Sequence, residues 1–260
     1  MTTYTPPALK TRPTALGKLQ PQILLGVYGE NGVGKSTLLG TFPKPLIING
    51  ENGLTSLLFT DHEDVEQWKP GGFRDLEALV YWLQAQNLDR YDTLAIDGID
   101  VLADNLLLEM IAEHAKVMDA DKQRPLLQAN KAELVEYLGL RNQVMTLLAY
   151  LVGTGKHVVV TSSLRESGEP PNQRRGFDLP RATSKVVTKA MDIIGELTTL
   201  PDKDGNLHRI LLTETVPARD AKSRIPALLP RVVNPTFDKL WAPYAAKINN
   251  TDTNNKEQTT

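Results

Sequence analysis

A glycine-rich segment near the amino terminus constrains the fold more than any other feature. Residues 27 to 37 read VYGENGVGKST, which satisfies the pattern G-x-x-x-x-G-K-[ST] from Gly29 to Ser36. An apolar run precedes the segment and a helical pattern follows it, so the segment joins a buried strand to a helix. In that position backbone N–H groups and the helix amino terminus bind phosphate. The motif therefore predicts a nucleoside triphosphate site on an α/β fold.

We call residues 29–37 of this segment the glycine loop and expect each of them to line the nucleotide. Lys35 is predicted to reach the β and γ phosphates of ATP, and Ser36 to hold Mg²⁺. Asp97 ends the apolar stretch YDTLAID and is the predicted carboxylate of the same magnesium site. The predicted nucleotide-binding residues are Gly29, Glu30, Asn31, Gly32, Val33, Gly34, Lys35, Ser36 and Thr37.

Short apolar runs alternate with helical patterns through the middle of the chain, which is typical of stacked βαβ units. We expect buried strands at ILLGVY, PLIING, TLAI and HVVVT, and a long helix from about residue 131 to 152. Asp204-Gly205 between two apolar runs predicts a hairpin. The predicted fold is thus a three-layer α/β domain with a mostly parallel central sheet and an antiparallel C-terminal extension.

The ends of the chain differ in composition from this core. Residues 1–20 contain three prolines and several cations, and we expect an extended basic arm there. Residues 21–245 form the predicted domain, with insertions at about 103–130 and 165–183. Residues 246–260 are almost entirely polar, so a disordered tail is expected.

Composition narrows the classes of function. The chain has no cysteine, which excludes disulfides, thiolate zinc sites and cysteine nucleophiles, and its four histidines show no metal-ligand spacing. No apolar run approaches the ~18 residues that span a bilayer, and the first residues lack the apolar core of a signal peptide. We therefore expect a cytoplasmic protein without a membrane partner. With a formal net charge of -2, any affinity for nucleic acid must come from a local patch.

Hydrolysis needs a group that activates water, and the residues directly after Asp97 do not include one. Asp97 is followed by Gly98 and Ile99, and not by a glutamate. Glu51, just past the second predicted strand, is the candidate base, because a carboxylate there can direct water at the γ-phosphate. From the residues alone, a structural glutamate in a glycine turn fits equally well.

Taken together, these segments resemble the core of the RecA recombinase family. The closer resemblance is to compact phage-encoded RecA-like ATPases, namely the Sak-four group of single-strand annealing proteins and related phage nucleotide-binding AAA-type proteins. The resemblance covers about residues 20 to 235 and rests on PKPLIINGENGLTSL, YDTLAIDGID, GKHVVVTSSLRE and ARDAKSR. It implies a RecA-like ATPase domain in which Glu51 is the catalytic base.

The resemblance also implies that the active site is shared between subunits. Lys222 and Arg224 match the basic pair that RecA-like subunits offer to a neighbour's γ-phosphate, although two ordinary surface cations would have the same sequence. Ser163 stands where these proteins carry a sensor glutamine, and it is shorter than that residue. The implied assembly is a homo-oligomer, either a ring or a filament.

Residues 165–189 are the candidate DNA-binding segment. They hold six basic and three acidic residues in a chain whose net charge is negative. RecA-like proteins place a mobile DNA-facing loop here, and Phe177 is the aromatic residue that could stack on a base. An ordinary solvated loop would have much the same composition. The predicted DNA-binding residues are Arg174, Arg175, Phe177, Arg181 and Lys185.

Three functional hypotheses follow. The first is a magnesium-dependent, DNA-stimulated ATPase that oligomerises on single-stranded DNA and promotes annealing or strand exchange in phage recombination, in the cytoplasm of a bacterial host. A single-strand-binding protein would be a further partner. The second is a nucleotide-gated assembly or adaptor protein with slow or no hydrolysis. The third is a P-loop kinase, which would place the glycine-loop strand directly beside the Asp97 strand, whereas a RecA-like sheet inserts HVVVT between them.

Overall fold

The computed structural model describes residues 21–51, 53–59, 65–117, 132–169 and 171–257. The predicted arm at residues 1–20, and residues 118–130 of the first predicted insertion, lie outside these ranges. Among the described residues, no helix is both long enough and apolar enough to cross a membrane.

The described residues form one mixed sheet and six α-helices. The strands are β1 (Leu24–Gly29), β2 (Pro45–Asn49), β3 (Glu66–Trp68), β4 (Thr93–Asp97), β5 (His157–Ser167), β6 (Arg174–Phe177), β7 (Ile193–Pro201), β8 (Leu207–Leu212), β9 (Lys222–Ser223) and β10 (Arg231–Val233). The helices are α1 (Lys35–Gly40), α2 (Phe73–Trp82), α3 (Ile99–Val117), α4 (Leu134–Gly153), α5 (Arg181–Ala190) and α6 (Phe237–Glu257). A 3-10 helix covers Leu54–Phe59, and a π-helical turn, Leu83–Asn87, extends α2.

Strand order confirms the predicted sheet. The main path runs β10-β8-β7-β1-β5-β4-β2-β3, and the neighbours from β7 to β3 are parallel. β8 and β10 extend it in antiparallel fashion, with β8 joined to β7 through the predicted Asp204-Gly205 hairpin. Because β5 lies between β1 and β4, the sheet has the RecA-like order and not the order of a P-loop kinase.

Two apolar layers cover the sheet and give the three-layer architecture. Successive residues of β1 point to opposite faces, so Leu24 and Tyr28 join one cluster while Leu25 and Val27 join the other. The first cluster packs α2, α3, α4 and α5 against the sheet, and the second packs α1 and α6. All six residues of β1 are buried, as expected for a central parallel strand.

The carboxyl-terminal boundary differs from the predicted one. A disordered tail was expected from residue 246, but α6 continues to Glu257. Its first turns are anchored by Phe237 and Trp241, whose rings stack with centroids 5.8 Å apart. Once a helix has been nucleated, each further residue adds a hydrogen bond at low cost, so the helix extends into a polar sequence that has no apolar face.

The two predicted insertions are parts of regular elements where they are described. Residues 103–117 continue α3, and the 165–183 region contains the end of β5, all of β6 and the start of α5. β5 and β6 form an antiparallel pair from Leu164–Phe177 to Ser167–Arg174. Gly168, with a φ angle of +82°, follows the end of β5 at the turn of this β-hairpin.

Candidate nucleotide site

The glycine loop joins β1 to α1 at the carboxyl edge of the sheet. Gly32 and Gly34 have positive φ angles of 79° and 98°, which glycine adopts without steric strain. A Cβ on Gly29 would lie 2.3 Å from the carbonyl oxygen of Leu197 on β7, so only glycine fits against that strand. These glycines therefore allow the tight backbone turn that a phosphate-binding loop requires.

Lys35 begins α1 and is 6% exposed. Its Nζ donates hydrogen bonds to the carbonyl oxygens of Gly29 (2.9 Å) and Glu30 (3.1 Å). The ammonium group thus lies inside the curve of the glycine loop, where the phosphates of a nucleotide would compete for its protons.

Ser36 and Asp97 meet as the motif predicts. Ser36 Oγ donates a 2.7 Å hydrogen bond to Asp97 Oδ2, although the two residues are 61 positions apart. Hydroxyl and carboxylate oxygens are the hard ligands that Mg²⁺ prefers, usually together with substrate phosphate oxygens. No group of three or more acidic, histidine or cysteine side chains in the described part of the chain could hold a metal alone. The site therefore fits a Mg²⁺ ion that is bound jointly by protein and nucleotide.

Thr161 on β5 completes this arrangement and was missed in the sequence. Its hydroxyl donates to Asp97 Oδ1 at 2.6 Å and accepts from the Gly98 N–H at 2.9 Å, with the side chain fully buried. Asp97 is 0% exposed, and its two carboxylate oxygens each accept one hydroxyl proton. The signal was the change from apolar to polar residues within VVVTSS, at the end of a central strand.

Glu51, the candidate base, lies close to Asp97, the predicted magnesium ligand. The Glu51 side chain covers Gly98, since a Cβ built on that glycine would lie 2.2 Å from Glu51 Cγ. Burial raises the pKa of Glu51, the negative charges of Asp100 and Asp97 raise it further, and Lys35 opposes them. A carboxyl group with a raised pKa, close to the phosphate-binding lysine, has the properties of a general base.

Ser163 ends the part of β5 that pairs with β1 and lies next to the same turn. Its backbone N–H donates to Asp100 Oδ2 at 3.2 Å. The backbone of Ser163 is thus connected to the first turn of α3, three residues after Asp97.

Arg209 on β8 is a second residue that the sequence did not indicate. A Cβ on Gly34 would lie 2.5 Å from Arg209 Nε, so the guanidinium group rests on the glycine loop. The loop therefore has a cation from β8 beside it as well as Lys35.

Lys222 and Arg224 lie at the other end of the sheet. β9 pairs with Ile193 and Ile194 at the start of β7, whereas the glycine loop follows the end of β1. Lys222 Nζ donates to the carbonyl oxygen of Thr188, and burial lowers the pKa of this lysine. Arg224 Nη1 pairs with Asp192 Oδ1 at 2.8 Å. Neither side chain belongs to the site formed by the glycine loop of its own chain.

The predicted DNA-stacking role of Phe177 is wrong for this conformation. Its side chain is 2% exposed and packs on Tyr28, with ring centroids 5.3 Å apart. The glycine- and arginine-rich composition suggested an open loop, but pairing of β6 with β5 turns the ring into the core.

Arg174 and Arg175 are also engaged within the protein. Arg175 Nη1 lies 2.7 Å from Glu196 Oε1, and Arg219 Nε lies 2.8 Å from the other oxygen of that buried carboxylate. Arg174 pairs with Asp220. Pairing of Glu196, 1% exposed, offsets the cost of burying its charge, so Arg175 has a structural role.

Arg181 and Lys185 remain available, and the structure adds a third cation. With Lys189 they lie four residues apart along α5, and all three are exposed. We call these three residues the basic stripe. Within the described part of the chain, none of them forms an ion pair. Arg141 of α4 faces the stripe across a groove of about 900 Å³, whose floor includes Met145 and Leu148.

The sheet order, the glycine loop and the Ser36–Asp97 pair define a P-loop ATPase domain with a RecA-like sheet. The chain belongs to the AAA domain family, which it matches over residues 22–225.

No curated protein matches the chain. Among solved structures, the chain is similar to a KaiC-like protein from the hyperthermophilic archaeon Pyrococcus horikoshii. The two are 15% identical, with a TM-score of 0.43, and the alignment covers 81% of this chain and 88% of the archaeal one.

Proposed function

We propose that this chain is a magnesium-dependent ATPase that oligomerises on single-stranded DNA and promotes annealing or strand exchange in phage recombination. The observation that carries the hydrolytic part is the convergence of Lys35, Ser36–Asp97 and Glu51 at one edge of the sheet. The DNA part is supported by the basic stripe, and the phage setting by resemblance alone.

In the proposed reaction, Ser36 and Asp97 would hold Mg²⁺, which neutralises charge on the β and γ phosphates when bound. Lys35 binds the same phosphates. Glu51 accepts a proton from the attacking water, whose oxygen bonds to the γ-phosphorus as the bond to the bridging oxygen of ADP breaks. The products are ADP and inorganic phosphate.

The central experiment measures ATP turnover with and without single-stranded DNA in the wild type, Lys35→Ala and Glu51→Gln. DNA is expected to raise wild-type turnover. Glu51→Gln should lower turnover by about 10² to 10⁴ while keeping ATP affinity, because it removes the base and leaves the phosphate contacts. Lys35→Ala should lose ATP affinity.

Turnover that ignores both DNA and Glu51→Gln would contradict the proposal. If ATP instead drives assembly equally well in the wild type and in Glu51→Gln, the adaptor hypothesis is favoured.

The DNA surface that we propose is the groove between α4 and α5. Its cationic rim is formed by the basic stripe and Arg141, and its floor is partly apolar, a combination that suits backbone phosphates and unpaired bases. With three or four phosphate contacts, log affinity should fall with log salt at a slope of about -2 to -3 per subunit.

Reversing one charge tests this surface. Lys185→Glu should weaken single-stranded DNA binding and make the salt slope shallower by about 0.7 to 1.4, because one contact is lost and a repulsion is added. Lys203 is also exposed and lies in the β7–β8 turn, so Lys203→Glu is the matched control. If the two variants weaken DNA binding equally, the groove between α4 and α5 is not the DNA-binding surface.

A further inference from the structure

Asp100 is a buried carboxylate with only part of its bonding explained. It lies in the first turn of α3 and is 6% exposed. Oδ2 accepts the Ser163 N–H, whereas Oδ1 is buried and has no hydrogen-bond partner. The helix dipole stabilises an acidic residue in the first turn of a helix. That stabilisation does not explain why one oxygen of Asp100 is buried without a hydrogen-bond partner.

Glu51 has the same feature at the same place. Its Oε1 is buried without a hydrogen-bond partner. Its side chain covers Gly98, two residues before Asp100, and among nearby charges that of Asp100 has the largest effect on the Glu51 carboxyl. The two carboxylates are thus close enough for their charges to interact with each other, the charge of Lys35 also reaches Glu51, and each carboxylate has one buried oxygen without a hydrogen-bond partner.

A buried acceptor without a donor costs about 1–3 kcal/mol, so two at one site call for a donor that serves both. Lys35 Nζ is bonded to carbonyl oxygens of the glycine loop, and the described residues contain no acidic cluster that could hold a metal alone. A water molecule has two O–H groups, one for each carboxylate.

We propose that Asp100 and Glu51 together hold the water that attacks the γ-phosphate. Glu51 takes one proton from that water as its oxygen bonds to the γ-phosphorus and the bond to the bridging oxygen of ADP breaks. Asp100 accepts a hydrogen bond from the other O–H, which stays on the phosphate product. This inference rests on the proposed ATPase activity and adds a second catalytic carboxylate to it.

The same contacts give Asp100 an influence on β5. One oxygen is held by Ser163 at the sensor position and the other faces the water. A shift of that strand would therefore move an acceptor of the water, without any side chain of glutamine length.

The test compares Asp100→Ala and Asp100→Asn with the wild type, with Asp104→Asn as matched control. Asp104 lies one turn further along α3 and is exposed. Asp100→Ala should lower kcat by about 10- to 100-fold, because misplacing the water costs that much, and leave the Kd of ADP unchanged. Asp100→Asn keeps an oxygen acceptor and should lose less. Asp104→Asn should match the wild type.

A second measurement does not depend on turnover. ADP with aluminium fluoride mimics the transition state, so its affinity should fall in Asp100→Ala in parallel with kcat, while the affinity of ADP alone stays constant. Wild-type kcat and wild-type aluminium fluoride affinity in Asp100→Ala would overturn the inference. Equal losses for ADP and for ADP with aluminium fluoride would also overturn it, because they indicate a structural role.

Glu51→Gln separates this inference from the proposed function. If that variant keeps full turnover, the hydrolytic site itself is wrongly assigned. If it is inactive while Asp100→Ala is fully active, only the role of Asp100 fails.

Discussion

Gly98 meets two steric demands at one position in the candidate nucleotide site. Its φ angle is +79°, which favours glycine, and it has no room for a side chain because Glu51 lies over its Cα. Gly50 presses on the same turn from the other side, where a Cβ would lie 2.5 Å from the Gly98 carbonyl oxygen. The position of the candidate base therefore depends on a residue that carries no functional group.

Gly98→Ala tests this dependence. The new methyl group must push Glu51 away, so turnover should fall by about 10²-fold or more with ATP affinity retained. Gly205→Ala is the control, because Gly205 has φ +83° but nothing within 4 Å of its Cβ position. Urea unfolding of both variants measures the destabilisation caused by a positive φ angle at alanine. Steady-state ATPase assays then show the additional loss of turnover caused by displacing Glu51. If Gly98→Ala hydrolyses ATP as fast as Gly205→Ala, Glu51 is not held by this contact.

At the scale of elements, His157 joins α6 to the beginnings of two central strands. Its Nδ1 accepts a 2.9 Å hydrogen bond from the Ile23 N–H, and its ring packs on Phe237 and Trp241 at 5.1 and 5.3 Å. An accepting Nδ1 requires a neutral ring. Burial lowers the pKa of His157, with a smaller effect of Lys156 in the same direction and an opposing effect of Asp92.

This arrangement predicts acid sensitivity in the docking of α6. Because the folded pKa lies below the unfolded value of 6.5, the contribution of His157 is complete above that value and is lost as pH falls through the folded pKa. His157→Asn should keep an acceptor oxygen near the position of Nδ1 but remove the titration. The melting temperature should therefore drop further between about pH 7.5 and pH 5.5 in the wild type than in His157→Asn. Equal falls would contradict this role.

For the whole molecule, the proposed oligomer would share each nucleotide site between two subunits. Lys222 and Arg224 are remote from the glycine loop of their own chain, so any role in hydrolysis must act on a neighbour. We propose, as the resemblance implies, that they reach the neighbour's γ-phosphate, where such a cation can raise turnover by ~10³ to 10⁵.

Mixing two inactive variants tests this proposal. In a shared site, Glu51→Gln inactivates only the site that contains the glycine loop of the same subunit. Arg224→Ala inactivates only the site of the neighbouring subunit. An equimolar mixed oligomer should then contain intact sites at about a quarter of its interfaces, so turnover is partly restored. Mixing Glu51→Gln with Lys35→Ala is the control, because both defects lie in the same half. No restoration in the first mixture would contradict a shared site.

The sequence by itself determined the features that depend on local pattern. The glycine loop, the buried parallel strands and the hairpin at Asp204-Gly205 each follow from the order of neighbouring residues, because backbone conformation and apolar periodicity are local properties. The pairing of Ser36 with Asp97 was also predictable, since the carboxyl ends of parallel strands meet at one edge of a sheet.

Only the tertiary structure decided which side chains meet and which are buried. The local pattern marks Thr161 only as a polar residue near a strand end, whereas its hydrogen bond to Asp97 spans 64 positions. The charge interaction between Asp100 and Glu51 likewise depends on the packing of separate turns. Phe177 was expected to face DNA, yet strand pairing placed it against β1. Helix α6 continues into a polar segment because its start is anchored in the core. The physical reason is common to all four: burial and hydrogen bonding depend on residues distant in sequence.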